Sequence, residues 1–270
     1  MSEDRVPTAQ PPRSRTRALI PTVLVVIVLA WLYALFTGLW TDHLWYDALG
    51  FDRVFTTQLL ARVGLAVAFG LVMGAVVAVT AWLVLRFQPV GAQAYRGLLT
   101  GFRRRLVIII PAVVFAVFGG LTGSSQGPTF LAWANQTPFG VTDARFGLDV
   151  GFFVFDYPWY RELTQFALIT LGLAAALAAL GHFMLGGLMA QGRAGKRTTT
   201  RAAHRHIAIV LALFFVVYGF SKLLDRFSQL LNQGTLLDGL TYTGDHAYLN
   251  ANLILAVISF LTAGLFVFSC

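Results

Sequence analysis

The sequence predicts an all-α, polytopic transmembrane helix bundle of about six spans, with its amino terminus in the cytoplasm. Three observations predict it. Of 270 residues 57% are hydrophobic and only 12% charged, whereas about half apolar is usual for a soluble chain. The surplus apolar surface needs lipid as its solvent. The apolar residues also gather in six runs, about 18–40, 63–85, 106–122, 163–190, 207–224 and 251–270. Finally, arginine-rich and acid-rich connections alternate between those runs.

The chain opens on a polar stretch, 1–17, with Pro7, Pro11, Pro12 and four arginines. It cannot bury enough surface to offset ordering, so a disordered cytoplasmic tail is expected. Residues 18–40 carry no charge, and at about 1.5 Å per residue they exceed a hydrocarbon layer of roughly 30 Å. No cleavage site of the small-x-small kind follows, which makes this run an anchor and not a removable signal. From Thr41 to Arg62 the acids Asp42, Asp47 and Asp52 mix with Trp45, Tyr46, Phe51 and Phe55. That mixture suits a membrane surface, and a loop with a short interfacial helix is expected.

The second run holds Gly70 and Gly74, a G-x-x-x-G pair that lets a neighbouring helix come close. Arg86 to Arg105 supplies five arginines around a turn at Pro89 and Gly91. Pro111 lies near the start of the third run, where a missing backbone donor costs least. The fourth run is rich in Gly and Ala, which permits close contact on several faces and places it at the bundle centre. A second basic connection, 191–206, and a polar loop with Asp225, Asp238 and Asp245 bracket the fifth run. The sixth ends at Cys270 with no polar residue after it, so a fragment of a longer protein is expected.

The longest connection, 123–162, organises the rest. It is acidic and aromatic, where the second and fourth connections are basic. Fourteen of the twenty Lys and Arg residues lie in the tail and in those two basic connections. The positive-inside rule then puts the amino terminus in the cytoplasm and the 123–162 loop outside it. Ten of the twelve acids fall on the outer side. The net charge of +8 is thus an orientation signal, and no nucleic-acid partner is expected.

For chemistry, the sequence offers little. It has no nucleophile elbow, phosphate loop or dinucleotide fingerprint, so neither catalysis nor a cofactor is expected. Its single cysteine, Cys270, excludes an intrachain disulfide and a thiolate metal site. Asp42, His43 and Asp47, with Asp245 and His246, are of the right types to hold an external metal ion. Read otherwise, they are solvated or capping residues. The fourth run contains His182, which reads as a hydrogen-bonded packing residue, while His204 and His206 read as part of a contact with anionic lipid. Lack of charge at membrane depth counts against ion-coupled carriers and pumps. Asn135-Gln136-Thr137 fits the glycosylation sequon. The aromatic set Phe152, Phe153, Phe155, Trp159 and Tyr160 reads either as an interfacial belt or as a platform for another protein or an extracytoplasmic domain.

Three blocks carry a resemblance: WTDHLWYDALGFDRVFTTQLLAR, FGLDVGFFVFDYPWYRELTQF and YTGDHAYLNANLILAVISF, in that order between apolar runs. They resemble the uncharacterised protein family 0182 of bacterial multi-pass membrane proteins. The resemblance implies a plasma-membrane protein of about seven spans followed by a large extracytoplasmic region, and implies no activity. The family pattern Tyr-Thr-Asp-x-His-Ala-x-Leu-Pro is broken here by Gly244, Asp245 and Asn250. The expected function is a non-enzymatic membrane anchor or scaffold whose partners are the bilayer and other membrane or envelope proteins. A component of a transporter or channel is the alternative. A membrane-embedded enzyme with a metal on Asp42, His43 and His246 is a third reading.

Overall fold

A computed structural model describes residues 16–87, 101–188, 190–191, 197–198, 200–232 and 238–270. The expected disordered tail, apart from its last two residues, and the expected turn at Pro89 and Gly91 lie outside the described residues. Among the described residues the fold is helical, and six helices are long and apolar enough to cross a membrane: Pro21–Ala48, Asp52–Arg86, Phe102–Ser125, Phe152–Met184, Arg201–Leu231 and Gly244–Phe268. The chain divides into two compact units, Met1–Thr57 and Gln58–Cys270.

The described part of the first unit is helix α1 (Thr16–Ala48), the turn that follows it and the first residues of the next helix. α1 runs eight residues past the expected end at Trp40, so the interfacial loop expected from Thr41 is corrected to a short turn around Gly50, whose φ is +74°. The extension is held by rings at helical spacing. Phe36 and Trp40 stack at 6.0 Å, and Trp40 meets His43 at 6.0 Å. His43 and Tyr46 then reach Phe55 on the next helix at 5.3 and 5.8 Å. Asp52 opens α2 (Asp52–Arg86), where its negative charge favours the helix start.

In the second unit α2 lies against α3 (Phe102–Ser125) at backbone distance. A Cβ on Gly70 would stand 2.8 Å from the Ala116 carbonyl oxygen, and one on Gly74 would stand 2.9 Å from the Ala116 Cβ. The G-x-x-x-G pair therefore serves helix packing, as its spacing suggests. α3 begins earlier than expected, which leaves Pro111 well inside it and corrects the reading of that proline as a helix-start residue.

A short helix, α4 (Gly127–Ala134), occupies the start of the organising connection. A wide π turn, Phe152–Asp156, leads into α5 (Tyr157–Met184), with Pro158 in its first turn, where the missing N–H costs nothing. The fourth span therefore starts and stops earlier than the expected 163–190. It packs where the small residues indicate. Phe166 meets Phe69 of α2 at 4.4 Å, Gly181 faces Val84 of α2, and Gly172 faces Phe214. Phe214 belongs to α6 (Arg201–Ser228), which is longer than the fifth run at both ends. α7 (Leu249–Phe268) lies along α6, with Phe260 over Gly219 and Phe215 stacked on Phe266 at 5.8 Å.

Leu65, Phe69, Met73, Trp159 and Phe166 form the main buried cluster. Many large apolar side chains elsewhere on these helices are exposed. In lipid that exposure carries no transfer cost, so close packing holds the helices to one another.

Candidate functional site

The described residues concentrate their polar and aromatic contacts at one end of the second unit, where α4, the connection to α5, and the near ends of α5, α6 and α7 meet. This end is built from three carboxylates that each take backbone or side-chain donors. Asp143 Oδ2 accepts from the N–H groups of Arg145 and Phe146, at 2.8 and 2.7 Å. Asp149 accepts from the N–H groups of Phe139, Gly140 and Gly151, at 3.1, 2.9 and 2.6 Å. Asp156 Oδ1 accepts from Trp133 Nε1 and Gln136 Nε2, at 3.1 and 3.0 Å. Between them, residues 141–150 pair back on themselves through Asp143 N–H to Leu148 O and Val150 N–H to Val141 O, both 2.8 Å. The hydrogen bond from Gly151, with those from Phe139 and Gly140, holds the Asp149 carboxyl below its ordinary value.

Rings fill the space under this loop. Phe227 of α6 contacts Phe146 at 5.0 Å, Phe152 at 5.1 Å and Phe153 at 6.2 Å. Trp159 sits among Phe130, Trp133 and Phe69, stacked on Trp133 at 5.7 Å. Phe155 is half-buried and stacks on Phe139 at 5.8 Å, while Tyr160 is exposed. Of the five rings singled out in the sequence, Phe153 and Trp159 are thus internal.

Ion pairs tie the helices at the same end. Arg145 reaches Asp245 at 2.7 Å, which joins the loop to the π turn Gly244–Tyr248 before α7. Asp225 of α6 is shared by Arg161 of α5 and by Lys222, the latter at 2.7 Å. Sequence reasoning missed this group, because the expected fifth run stops short of Asp225 and the fourth starts beyond Arg161. The one available signal was the three-residue spacing of Lys222 and Asp225, which puts both on one helix face.

At the opposite end of α5 a second polar group forms. Just past the end of α5 Gly186 takes φ +76°, and the N–H of Gly187 turns back to the His182 carbonyl at 2.6 Å. Thr200 N–H then bonds the Gly187 carbonyl at 2.8 Å, and Thr200 caps α6. Between them Ala190–Gln191 pairs antiparallel with Arg197–Thr198. This arrangement brings His182 Nε2 to 3.2 Å from His206 Nδ1, both side chains buried. His182 is hydrogen-bonded, as read. His206 is corrected from a lipid-surface residue to its buried partner, while His204 is exposed.

The remaining candidates are less connected. His43 is half-buried among Trp40 and Phe55, Asp42 is exposed, and His246 stacks on Tyr242 at 4.1 Å with Asp245 Oδ2 at 3.7 Å. Among the described residues no three His, Cys, Asp or Glu side chains gather to hold a metal ion. Asn135 of the sequon donates its side-chain amide to the Leu131 carbonyl at 2.8 Å, closing α4.

Comparison with known proteins places the chain. Residues 19–270 match the uncharacterised protein family UPF0182. A UPF0182 protein of Kocuria rhizophila is 36% identical over 261 residues, covering 94% of this chain and 26% of the relative. A UPF0182 protein of Streptomyces coelicolor is 34% identical over 269 residues, 94% of this chain and 27% of the relative. One from Corynebacterium efficiens is 30% identical over 278 residues, with 97% and 27% covered. The chain thus spans about a quarter of the length of these curated relatives. No solved structure matches it. With residues 19–270 matched, the chain belongs to the uncharacterised protein family UPF0182.

Proposed function

We propose that this chain is a multi-pass plasma-membrane protein, amino terminus cytoplasmic, whose helices anchor and organise envelope material on the extracytoplasmic side. The observation that carries the reading is the ordered aromatic end. Asp143, Asp149 and Asp156 each fix backbone or side-chain donors, and Arg145 ties the loop to Asp245. A surface held this rigidly suits docking, because little conformational freedom remains to be lost on association. Orientation is supported by the arginine-rich connections at the other end of the helices.

Fusion reporters test the topology. A reporter after Ser125 is expected to be active only when exported, and one after Thr200 only when cytoplasmic; the opposite pair of results overturns the reading. Photo-crosslinking from Tyr160 or Phe155 in intact cells is expected to trap envelope or membrane proteins. Traps limited to lipid leave no scaffold role.

A second reading, a component of a transport path, is favoured by the His182–His206 pair. Ionisable side chains inside an apolar helix bundle often mark pathways. The Lys222, Asp225 and Arg161 group adds charge within the helices, which weakens the argument from uncharged runs. Purified protein in liposomes decides: selective solute flux, lost in His182→Ala, supports transport, and its absence supports the anchor.

A further inference from the structure

A groove of about 710 Å³ opens between α2, α5 and α6 at the arginine end, within the size range of ligand sites. Its α6 wall carries a row at four-residue spacing, Arg201, Arg205, Ile209 and Leu213, flanked by a second row of Ala202, His206 and Val210. Such residues lie above one another on one helix face, so the row changes from cationic to apolar along the axis. It covers about 18 Å, slightly more than one leaflet of a hydrocarbon core roughly 30 Å thick. The α2 wall is a matching apolar row that includes Val79 and Leu83, and α5 lines the groove with Leu171 and Ala174.

Among the described residues neither arginine has an Asp or Glu partner. Arg205 Nε donates to the Cys270 carbonyl at 2.7 Å, which holds that side chain in place. Both are exposed at the groove mouth, beside the start of α6 with its favourable dipole. Guanidinium groups bind phosphate in a forked, two-bond geometry. Two cations at the head of an apolar groove complement one molecule in both charge and shape.

We infer that this groove is a binding site for an anionic phospholipid, with the phosphate on Arg201 and Arg205 and one acyl chain lying between α2 and α6. The inference rests on the membrane-spanning reading above and adds a ligand class to it. The ligand comes from the leaflet at the arginine end, where anionic lipids attract basic groups.

The test is acyl-chain photolabelling of the purified full chain in nanodiscs. Phosphatidylglycerol with a diazirine on its chain is compared with the same probe on phosphatidylcholine, and labelled peptides are mapped by mass spectrometry. Label from phosphatidylglycerol is expected to concentrate on Val79, Leu83, Ile209 and Leu213. The double variant R201Q/R205Q is expected to lower that labelling about thirtyfold, roughly fivefold per guanidinium, without changing label elsewhere. Ile209→Trp, which fills the channel and keeps both charges, is expected to lower it as well. Equal groove labelling by both probes, or labelling unmoved by R201Q/R205Q, overturns the site. Even labelling of all helices leaves the spanning reading standing and sinks the groove alone. No label on any helix from either probe removes both.

Discussion

The two ends of the helix bundle treat charge in opposite ways. At the aromatic end the acids are matched: Asp225 holds Arg161 and Lys222, Asp245 holds Arg145, and Asp149 takes three backbone donors. At the other end the cations go to backbone carbonyls. Arg104 donates to Leu85 O at 3.1 Å, Arg205 donates to Cys270 O, and no described acid faces them. Matched charge at one end stiffens a surface, while unmatched charge at the other leaves a positive field for an anionic partner. The difference between the ends is therefore mechanical as well as electrostatic.

Substitutions can break that contrast, and the largest effect is expected at Asp225. Asp225→Ala leaves Arg161 and Lys222 facing each other half-buried, and a loss of about 3 kcal/mol is expected in detergent unfolding. A loss under about 0.5 kcal/mol would return the group to the status of a surface pair. Trp159→Ala removes the ring stacked between Trp133 and Phe69. About 2 kcal/mol is expected, below soluble-core values because detergent or lipid partly fills the gap.

Asp149 sharpens the comparison through pH. Its folded value lies below the ordinary 3.8, so its contribution is complete above that value and fades as pH falls through the lowered one. Faster amide exchange at Phe139, Gly140 and Gly151 is expected only at such acid pH, and at all pH values in Asp149→Ala. Exchange in Asp149→Ala that matches the unaltered chain at neutral pH would mean the carboxylate holds nothing. The smallest effect is expected at the opposite end: Arg103→Gln should change stability by less than about 0.5 kcal/mol.

The six long helices were legible in the sequence because their apolar runs are long and composition alone identifies them. Their ends were not. α1 continues through Asp42 and Asp47, and α6 through Lys222, Asp225 and Arg226, since a charged residue ends an apolar run without ending a helix. Local spacing foretold Gly70 and Gly74. It could not foretell His182 with His206, 24 residues apart, or Arg161 with Asp225, 64 apart, because those contacts depend on helix packing. The loop acids were read as outward charge, yet Asp143 and Asp149 fold the loop itself through short-range bonds to backbone.

The Arg145–Asp245 tie joins residues a hundred positions apart. At synthesis rates of about 5–20 residues per second, Arg145 waits roughly 5 to 20 s for its counterpart to leave the ribosome. Phe146 waits nearly as long for Phe227. Throughout that interval the nascent chain presents an unfinished ring surface and a lone cation, a window in which an insertase or chaperone has something definite to hold.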